Sequence, residues 1–220
     1  MSAALSLEGR TLVIETASEA CSVALFEGDE RLAHDHRVLG RGHAERLVPI
    51  IADLPGRGQA QRILVSLGPG SFTGVRIGIA AARALGVAWQ AKVLGYPTLA
   101  LIAAQAAAAS VQSAVTVCMN GGHGEWFVQN FSDGKGEAPQ QSLGPGVARA
   151  WGAHRVVAGN RATDLAQLLE GERVVLDMLP DAGQISQLDP AHLTADLSPI
   201  YGRPPDAQPL DRAPATQVGT

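Results

Sequence analysis

The fold is decided by the stretch Leu67-Gly68-Pro69-Gly70-Ser71-Phe72-Thr73-Gly74-Val75-Arg76-Ile77-Gly78, which joins an apolar strand to a helix. We call residues 68–74 the glycine turn. Glycine allows positive φ and close backbone approach, and Ser71 or Thr73 can cap the helix. Such a turn can bind phosphate through free N–H groups. The spacing matches neither common nucleotide motif, because Val75 and not lysine follows Gly74 and the glycines run G-x-G-x-x-x-G. The pattern therefore favours a rigid turn that positions the helix, with a phosphate site as the weaker alternative.

Small residues recur every four positions along that helix, at Gly74, Gly78, Ala82 and Gly86. In an α-helix this row forms one shallow stripe. Glycine inside a helix costs about 0.5–1 kcal/mol relative to alanine, so the stripe needs a compensating close contact. The contact is either with the chain's own sheet or with a helix of a partner, and the periodicity does not distinguish the two.

The order of apolar runs and turn residues predicts an α/β fold built from two similar halves. In the first half, Glu27-Gly28-Asp29 is typical of a turn between strands, and Leu47, Ile50, Ile51 and Leu54 have the spacing of an amphipathic helix. The first half is predicted to contain strands over residues 11–16, 20–26, 31–38, 62–67 and 92–95, and helices over 43–54, 74–90 and 98–109. The second half is predicted to contain strands over 114–119, 126–131, 155–158 and 174–176, helices over 147–151 and 161–170, and a partly helical segment over 180–197.

An antiparallel meander that continues into parallel crossovers gives a mixed sheet flanked by helices. We therefore expect two such units in tandem, over residues 1–110 and 111–202. The chain from residue 203 to 220 is rich in Pro, Asp and Gln and is predicted to be a flexible tail.

Composition excludes several classes of protein. The net charge of −4 over 220 residues gives no general basic field for nucleic acid. The two cysteines, Cys21 and Cys118, lie in different halves and can form neither a disulfide framework nor a zinc site on their own. The N-terminus shows no secretory signal, and the apolar stretch over 93–109 is interrupted by Gly, Pro, Thr and Gln. We expect a soluble cytoplasmic protein without membrane contact.

Two pairs of charged or titratable residues are interpreted as surface groups. Arg76 and Arg83 are seven residues apart and share a helix face opposite the small-residue stripe, which favours solvent over a partner carboxylate. His34 and His36 share one face of a strand, and because no third ligand is evident a surface pair is favoured over a metal site.

The glycine turn and the helix start after it resemble the signature of the bacterial TsaB family of tRNA threonylcarbamoyladenosine biosynthesis proteins. The opening Ile14-Glu15-Thr16-Ala17-Ser18-Glu19-Ala20-Cys21-Ser22-Val23-Ala24-Leu25 is similar to that family as well. So are His43 with Leu47-Val48-Pro49-Ile50-Ile51, and Pro97-Thr98-Leu99-Ala100-Leu101-Ile102-Ala103. The resemblance covers residues 11–110, and beyond them it rests on Glu125 and on Pro199-Ile200-Tyr201.

The resemblance implies an actin-like fold of tandem duplicated ribonuclease-H-like subdomains, the first of which binds a partner. It also implies a non-catalytic activating subunit of the complex that makes N6-threonylcarbamoyladenosine at position 37 of tRNAs reading codons that start with A. The implied partners are the catalytic paralogue TsaD and, through the complex, the ATPase TsaE and tRNA, with a homodimer when TsaD is absent. The implied interface is formed by the first two helices, through Leu47, Ile50, Ile51, Leu54, Val75, Gly78, Ile79, Ala82, Arg83 and Gly86.

The sequence departs from the catalytic paralogue where chemistry would occur. That paralogue carries two metal-binding histidines four residues apart, whereas Leu47 stands four residues after His43 and no H-x-x-x-H pair occurs. The family's aspartate after the first strand is Glu15 here, and Asn120-Gly121-Gly122-His123 lacks the carboxylate expected in that turn of the second half. These departures predict neither a catalytic residue nor a bound cofactor or metal.

Three other interpretations compete with a scaffold. An actin-like-fold kinase or acyltransferase would bind nucleotide phosphates at the glycine turn. A metallopeptidase, an older label of this superfamily, fits poorly because the histidine pair is missing. A structural dimer with no connection to tRNA would leave the tRNA modification intact when it is deleted.

Overall fold

The computed structural model describes residues 5–7 and 9–202, which form two β-sheets with helices packed on them. The strands of the first sheet are β1 (Arg10–Glu15), β2 (Ala20–Glu27), β3 (Glu30–Val38), β4 (Arg62–Ser66) and β5 (Lys92–Tyr96). The helices of this half are α1 (His43–Asp53), α2 (Phe72–Trp89) and α3 (Thr98–Ser110).

The second sheet follows α3 along the chain. Its strands are β6 (Ala114–Gly122), β7 (Glu125–Ser132), β8 (Lys135–Gly136), β9 (Gln141–Leu143), β10 (Val156–Ala158) and β11 (Val174–Leu176). The helices of this half are α4 (Pro145–Ala150) and α5 (Ala162–Leu168). Short 3-10 helices span Pro55–Gly58, Ala182–Gln187 and Pro190–His192.

The first sheet has the strand order β3-β2-β1-β4-β5. Strands β1, β2 and β3 form the antiparallel meander, and β1, β4 and β5 run parallel. At the centre, Ile14 of β1 pairs with Val23 on one side and Val65 on the other. Strand β1 is covered on both faces, which is why it contains the uninterrupted run Leu12-Val13-Ile14.

The second sheet repeats this arrangement with shorter helices and, after β6, shorter parallel strands. Its order is β11-β10-β6-β7-β8, with β9 also paired to β7. Strands β6 and β7 are antiparallel, whereas β6, β10 and β11 are parallel. The mixed sheets, each flanked by helices, confirm the predicted fold class.

Two apolar layers position the helices. Helices α1 and α2 lie side by side on one face of the first sheet and contribute Leu47 and Ile79 to its core. Helix α3 lies between the two sheets, so Leu99 belongs to the same buried cluster as Val13 of β1 and Val117 of β6. The two halves therefore share a continuous core on the α3 side, and the boundary predicted at residue 110 falls at the end of α3.

The structure adds details that the sequence patterns did not predict. Strands β8 and β9 have two and three residues and follow the predicted β7. The segment predicted to be partly helical over 180–197 contains the two last 3-10 helices.

Within the described residues, no helix is both long and apolar enough to span a bilayer. The predicted tail over 203–220 lies outside the described residues.

Candidate functional site

The glycine turn packs directly on the backbone that follows β1. A methyl group added at Gly70 would collide with the carbonyl of Ala17, and one added at Gly74 would collide with the carbonyl of Thr16. Ser71 N–H donates to the Ala17 carbonyl at 2.7 Å, and Gly74 N–H donates to Ser71 Oγ at 3.2 Å. Ser71 thus caps α2, and these two N–H groups of the turn are used inside the chain. The geometry agrees with a rigid turn that fixes α2 against β1.

The small-residue stripe faces the chain's own sheet. Thr16 Oγ1 donates to the carbonyl of Gly74 at 2.8 Å, and a methyl group added at Gly78 would collide with the same hydroxyl. A Cβ at Gly86 would lie 2.5 Å from Cγ2 of Val93 on β5. The close contact that offsets the helical glycines is therefore with strands of this chain, and the alternative of a partner helix in that position is wrong.

The residues predicted to bind a partner also contact this chain's own sheet, with one exception. Arg83 is exposed, but the others are buried against the first sheet: Leu47, Ile50, Ile51, Leu54, Val75, Gly78, Ile79, Ala82 and Gly86. The amphipathic pattern identified the apolar sides of both helices correctly, but those sides form the core of this chain. A partner can reach only the opposite sides.

The opposite sides of α1 and α2 form one exposed layer, which we call the outer face. On α1 it includes Val48, whose side chain is 54% exposed, and on α2 it includes Val87, which is 83% exposed. Small apolar residues surround Val87 on α2, at Ala80, Ala84 and Ala88. The outer face therefore presents apolar groups to solvent on two adjacent helices, which is a common property of protein interaction surfaces.

Both arginines of α2 contact the last described segment of the chain, residues 197–202. Arg76 donates to the hydroxyl of Tyr201 at 2.8 Å, and its guanidinium carbon lies 3.5 Å from the centroid of the Phe72 ring. Arg83 donates to the carbonyl of Leu197 at 3.4 Å, and Ile200 N–H donates to Leu67 O at 2.7 Å. Both arginines are exposed, as the sequence pattern favoured, and they also hold residues 197–202 against α2.

A cavity of about 790 Å³ lies between the two halves. The glycine turn and Ser18 line it from the first half, whereas Met119 to His123 line it from the second, and the segment 197–202 closes one side. Asn160 spans the cleft, since its Nδ2 donates to Glu19 at 2.9 Å and its Oδ1 accepts from Asn120 N–H at 2.9 Å. The sequence did not identify Asn160, because its side-chain partners Glu19 and Asn120 are 141 and 40 residues away.

Glu15 is fully buried at the end of β1 next to this cleft. Its carboxylate accepts hydrogen bonds from Ala17 N–H at 2.8 Å and from the Tyr96 hydroxyl at 3.3 Å. Burial raises the pKa of Glu15 to about 7, even though these hydrogen bonds favour the charged form. The side chain is held by the core and does not line the cavity.

The two cysteines are free thiols inside the fold. Both are buried, and burial raises the pKa of Cys21 to about 11 and that of Cys118 to about 12. The thiolate forms that nucleophilic or metal chemistry requires are therefore disfavoured at neutral pH.

Comparisons with known proteins place the chain in a family. The family model described as TsaD, tRNA N6-adenosine threonylcarbamoyltransferase, matches residues 37–148, just over half of the chain. An uncharacterized protein of Mycobacterium tuberculosis is 30% identical over 210 residues, which are 90% of this chain and 94% of that protein. The TsaB protein of Escherichia coli is 40% identical over 99 residues, so that alignment spans 43% of this chain and 42% of the relative.

Solved structures agree with this relationship. The structure titled YeaZ from Pseudomonas aeruginosa has a TM-score of 0.72 and 28% identity, and it covers 88% of this chain and 99% of that chain. A second Pseudomonas aeruginosa structure, titled as similar to peptidase YEAZ, has a TM-score of 0.74 and 27% identity over 89% of this chain. The resemblance seen in the glycine turn and the opening strand is therefore confirmed over nearly the whole fold. The chain belongs to the family of the TsaD model and is a TsaB/YeaZ-like member of it.

Proposed function

We propose that this chain is a non-catalytic, activating subunit in the synthesis of N6-threonylcarbamoyladenosine at position 37 of tRNAs that read A-starting codons. The proposal rests on the TsaB proteins it resembles, whose names state a role in threonylcarbamoyladenosine biosynthesis. In this proposal the partner is the catalytic subunit TsaD. TsaE and tRNA would meet the chain only through the complex.

The outer face is the observation that carries the proposal. It offers apolar groups from two adjacent helices, whereas the inner sides of the same helices are occupied by the first sheet. Burying an exposed apolar surface of this kind against a partner is favourable in proportion to the area removed from water. Two equivalent helices on the partner would complete a four-helix layer. In the absence of TsaD, the same surface would support a homodimer.

The residues available for chemistry fit an accessory role. The six histidines include no pair four residues apart, so the metal ligands expected in the catalytic paralogue are missing from the sequence. The carboxylate of Glu15, at the end of β1, is enclosed by the core and does not line the cavity. An accessory subunit needs neither group, because in this proposal the transfer step occurs on TsaD.

The docking proposal is tested by co-purification with the TsaD subunit from the same genome. The variants V48R and V87R place a charged side chain on the outer face, and V147R places one at a similarly exposed valine of α4, which is 59% exposed. We expect each outer-face variant to reduce recovery of TsaD at least tenfold while its thermal midpoint stays within about 2 °C of wild type. The control V147R should bind TsaD normally.

Recovery of TsaD at wild-type yield with both V48R and V87R would exclude the outer face as the docking surface. The substitutions A82R and G78L are unsuitable for this test, because both positions are buried on the sheet. The same variants examined by size-exclusion chromatography with light scattering would report on the homodimer. Deletion of the gene should abolish threonylcarbamoyladenosine in total tRNA, and an unchanged tRNA modification would refute the biological role.

A second candidate function is favoured by the cavity between the halves. A nucleotide-binding kinase or acyltransferase would use that cavity and the glycine turn. Against it, the N–H groups of Ser71 and Gly74 are already bonded within the chain. Calorimetric titration of the isolated chain with ATP and Mg²⁺ separates the two functions, since micromolar binding is expected only from the enzyme.

A further inference from the structure

The strand pair His34 and His36 acquires a third metal-ligating neighbour in the fold. Both side chains lie on the face of β3 that packs against the segment after β11, and this segment brings Asp181 to them. Nε2 of His34 lies 2.6 Å from Oδ1 of Asp181, and Nδ1 of His36 lies 3.9 Å from the same oxygen. One ligand atom from each residue lies within 4.8 Å of the other two.

We propose that His34, His36 and Asp181 form a binding site for a divalent transition metal of the zinc class. Two imidazole nitrogens and one carboxylate are a donor set that Zn²⁺ uses, with a solvent molecule in the fourth position. Magnesium and calcium prefer oxygen ligands, so the two imidazoles select against them.

The strongest support comes from His36. Its Nδ1 is buried and has no hydrogen-bond partner among the described residues, because 3.9 Å to Asp181 is too long for a hydrogen bond. Buried polar atoms are nearly always satisfied, so an unpaired imidazole nitrogen facing a carboxylate needs an explanation. A cation between the two groups would give this nitrogen a partner, whereas Asp181 is already hydrogen-bonded to His34. In a tetrahedral zinc site with bonds of about 2.0–2.1 Å, ligand atoms lie about 3.3 Å apart, which is between the two separations seen here.

The neighbourhood of the cluster holds Asp181 in place. Its Oδ1 accepts hydrogen bonds from Gly183 N–H at 2.8 Å and from the Ser22 hydroxyl at 3.2 Å. Hydrogen bonds to a ligating carboxylate fix its orientation, as is common around metal sites. The nearby cation Arg31 donates to the carbonyl of Gly183 at 3.2 Å and weakens the attraction for a metal ion, so we expect micromolar rather than nanomolar affinity.

A metal here would join distant parts of the chain. The two histidines lie on the edge strand of the first sheet, whereas Asp181 follows the last strand of the second sheet. Binding would therefore tie β3 to the segment that returns from the second half. The sequence analysis favoured a surface pair because Asp181 is remote from the histidines in sequence, and no local spacing connects them.

The test uses the full chain, stripped with a chelator and titrated with ZnCl₂ or with MgCl₂. We expect one zinc ion per chain with a micromolar dissociation constant, no saturable magnesium binding, and a thermal midpoint raised by about 3–6 °C at a tenfold excess over that constant. The variant H36Q should weaken zinc binding at least tenfold. His36 makes no hydrogen bond through Nδ1, so the fold of the variant should be retained.

The matched control is H154Q. His154 lies 2.9 Å from a carboxylate oxygen of Glu137, as a His–carboxylate pair without a second histidine, so its loss should leave zinc binding unchanged. Absence of saturable zinc binding to the wild-type chain would overturn the proposal. Equal zinc affinity of wild type and H36Q would overturn it too, because the ion would then lie elsewhere. If H36Q were unfolded, the absorption spectra of Co²⁺ bound to wild type and to H34Q would replace it. A tetrahedral Co²⁺ spectrum that persists in H34Q would contradict the proposed site.

Discussion

Two groups of glycines, one in each half of the molecule, differ in what surrounds them. In the first half, a Cβ at Gly70, Gly74 or Gly78 would collide with the backbone or side chains that follow β1. In the second half, no atom of the residues that the structure describes lies within 4 Å of such a Cβ at Gly144 or Gly146. Packing requires glycine at the first three positions, whereas the space around Gly144 and Gly146 admits a larger side chain.

The second half also has thinner helical cover. Helices α1, α2 and α3 have 11, 18 and 13 residues, whereas α4 and α5 have six and seven. Strands β10 and β11 have three residues each. Less apolar surface is therefore buried on the outer side of the second sheet. We expect the free energy of unfolding to depend more on the first half, and substitutions can test this expectation.

The largest effect is expected for G74A. The added methyl group would collide with the carbonyl oxygen of Thr16, a backbone atom that no rotamer change can move. We expect a loss of at least about 3 kcal/mol in the free energy of unfolding, or about 6–12 °C in thermal midpoint, measured by urea and thermal denaturation.

The matched control for G74A is G146A. Gly146 is also helical, in α4, but has open space around it, so the alanine should be neutral or stabilise by up to about 1 kcal/mol. Equal stability changes for the two variants would contradict the difference in packing between Gly74 and Gly146.

Glu15 gives the second prediction, which concerns pH. Its pKa is about 7 in the folded chain and near 4.5 when unfolded. Between these values the unfolded state releases the proton and the folded state keeps it, so stability falls as pH rises from 4.5 to 7, by up to about 3 kcal/mol in total. The variant E15Q stays neutral, so its advantage over wild type should grow from pH 4.5 to pH 7 and then level off. Urea unfolding of both proteins across this pH range measures the difference in their free energies of unfolding. A constant difference would show that Glu15 keeps an ordinary pKa.

The sequence predicted the elements of the first half well because their patterns are local. The strand predicted over residues 11–16 corresponds to β1, and the spacing from Leu47 to Leu54 identified α1. The four-residue stripe on α2 correctly indicated a close contact. Periodicity defines which side of a helix is apolar but not what covers that side. Only the structure shows that the chain's own sheet, and not a partner helix, covers the stripe on α2.

The remaining features could not be read from local patterns. Strands β8 and β9 are too short for an alternation of side chains to show. Asn160 and Asp181 matter through residues more than a hundred positions away, namely Glu19 for the first and His34 for the second. Neither has a motif around it. Long-range polar contacts of this kind cannot be predicted from the local patterns of a single sequence.

The smallest predicted effect concerns the segment that touches both halves. Ile200 binds Leu67 in the first half, and Gly202 packs on the Phe127 ring of β7 in the second. The variant Y201F removes the hydroxyl that accepts from Arg76. Because this contact is partly exposed, we expect a local loss of about 1 kcal/mol, which corresponds to about fivefold faster hydrogen exchange of the Ile200 amide. Exchange at Ile14, in the core of β1, should be unchanged. If both amides were to respond equally, the segment would be part of the global folding unit, and the two halves would unfold together and not differ in stability.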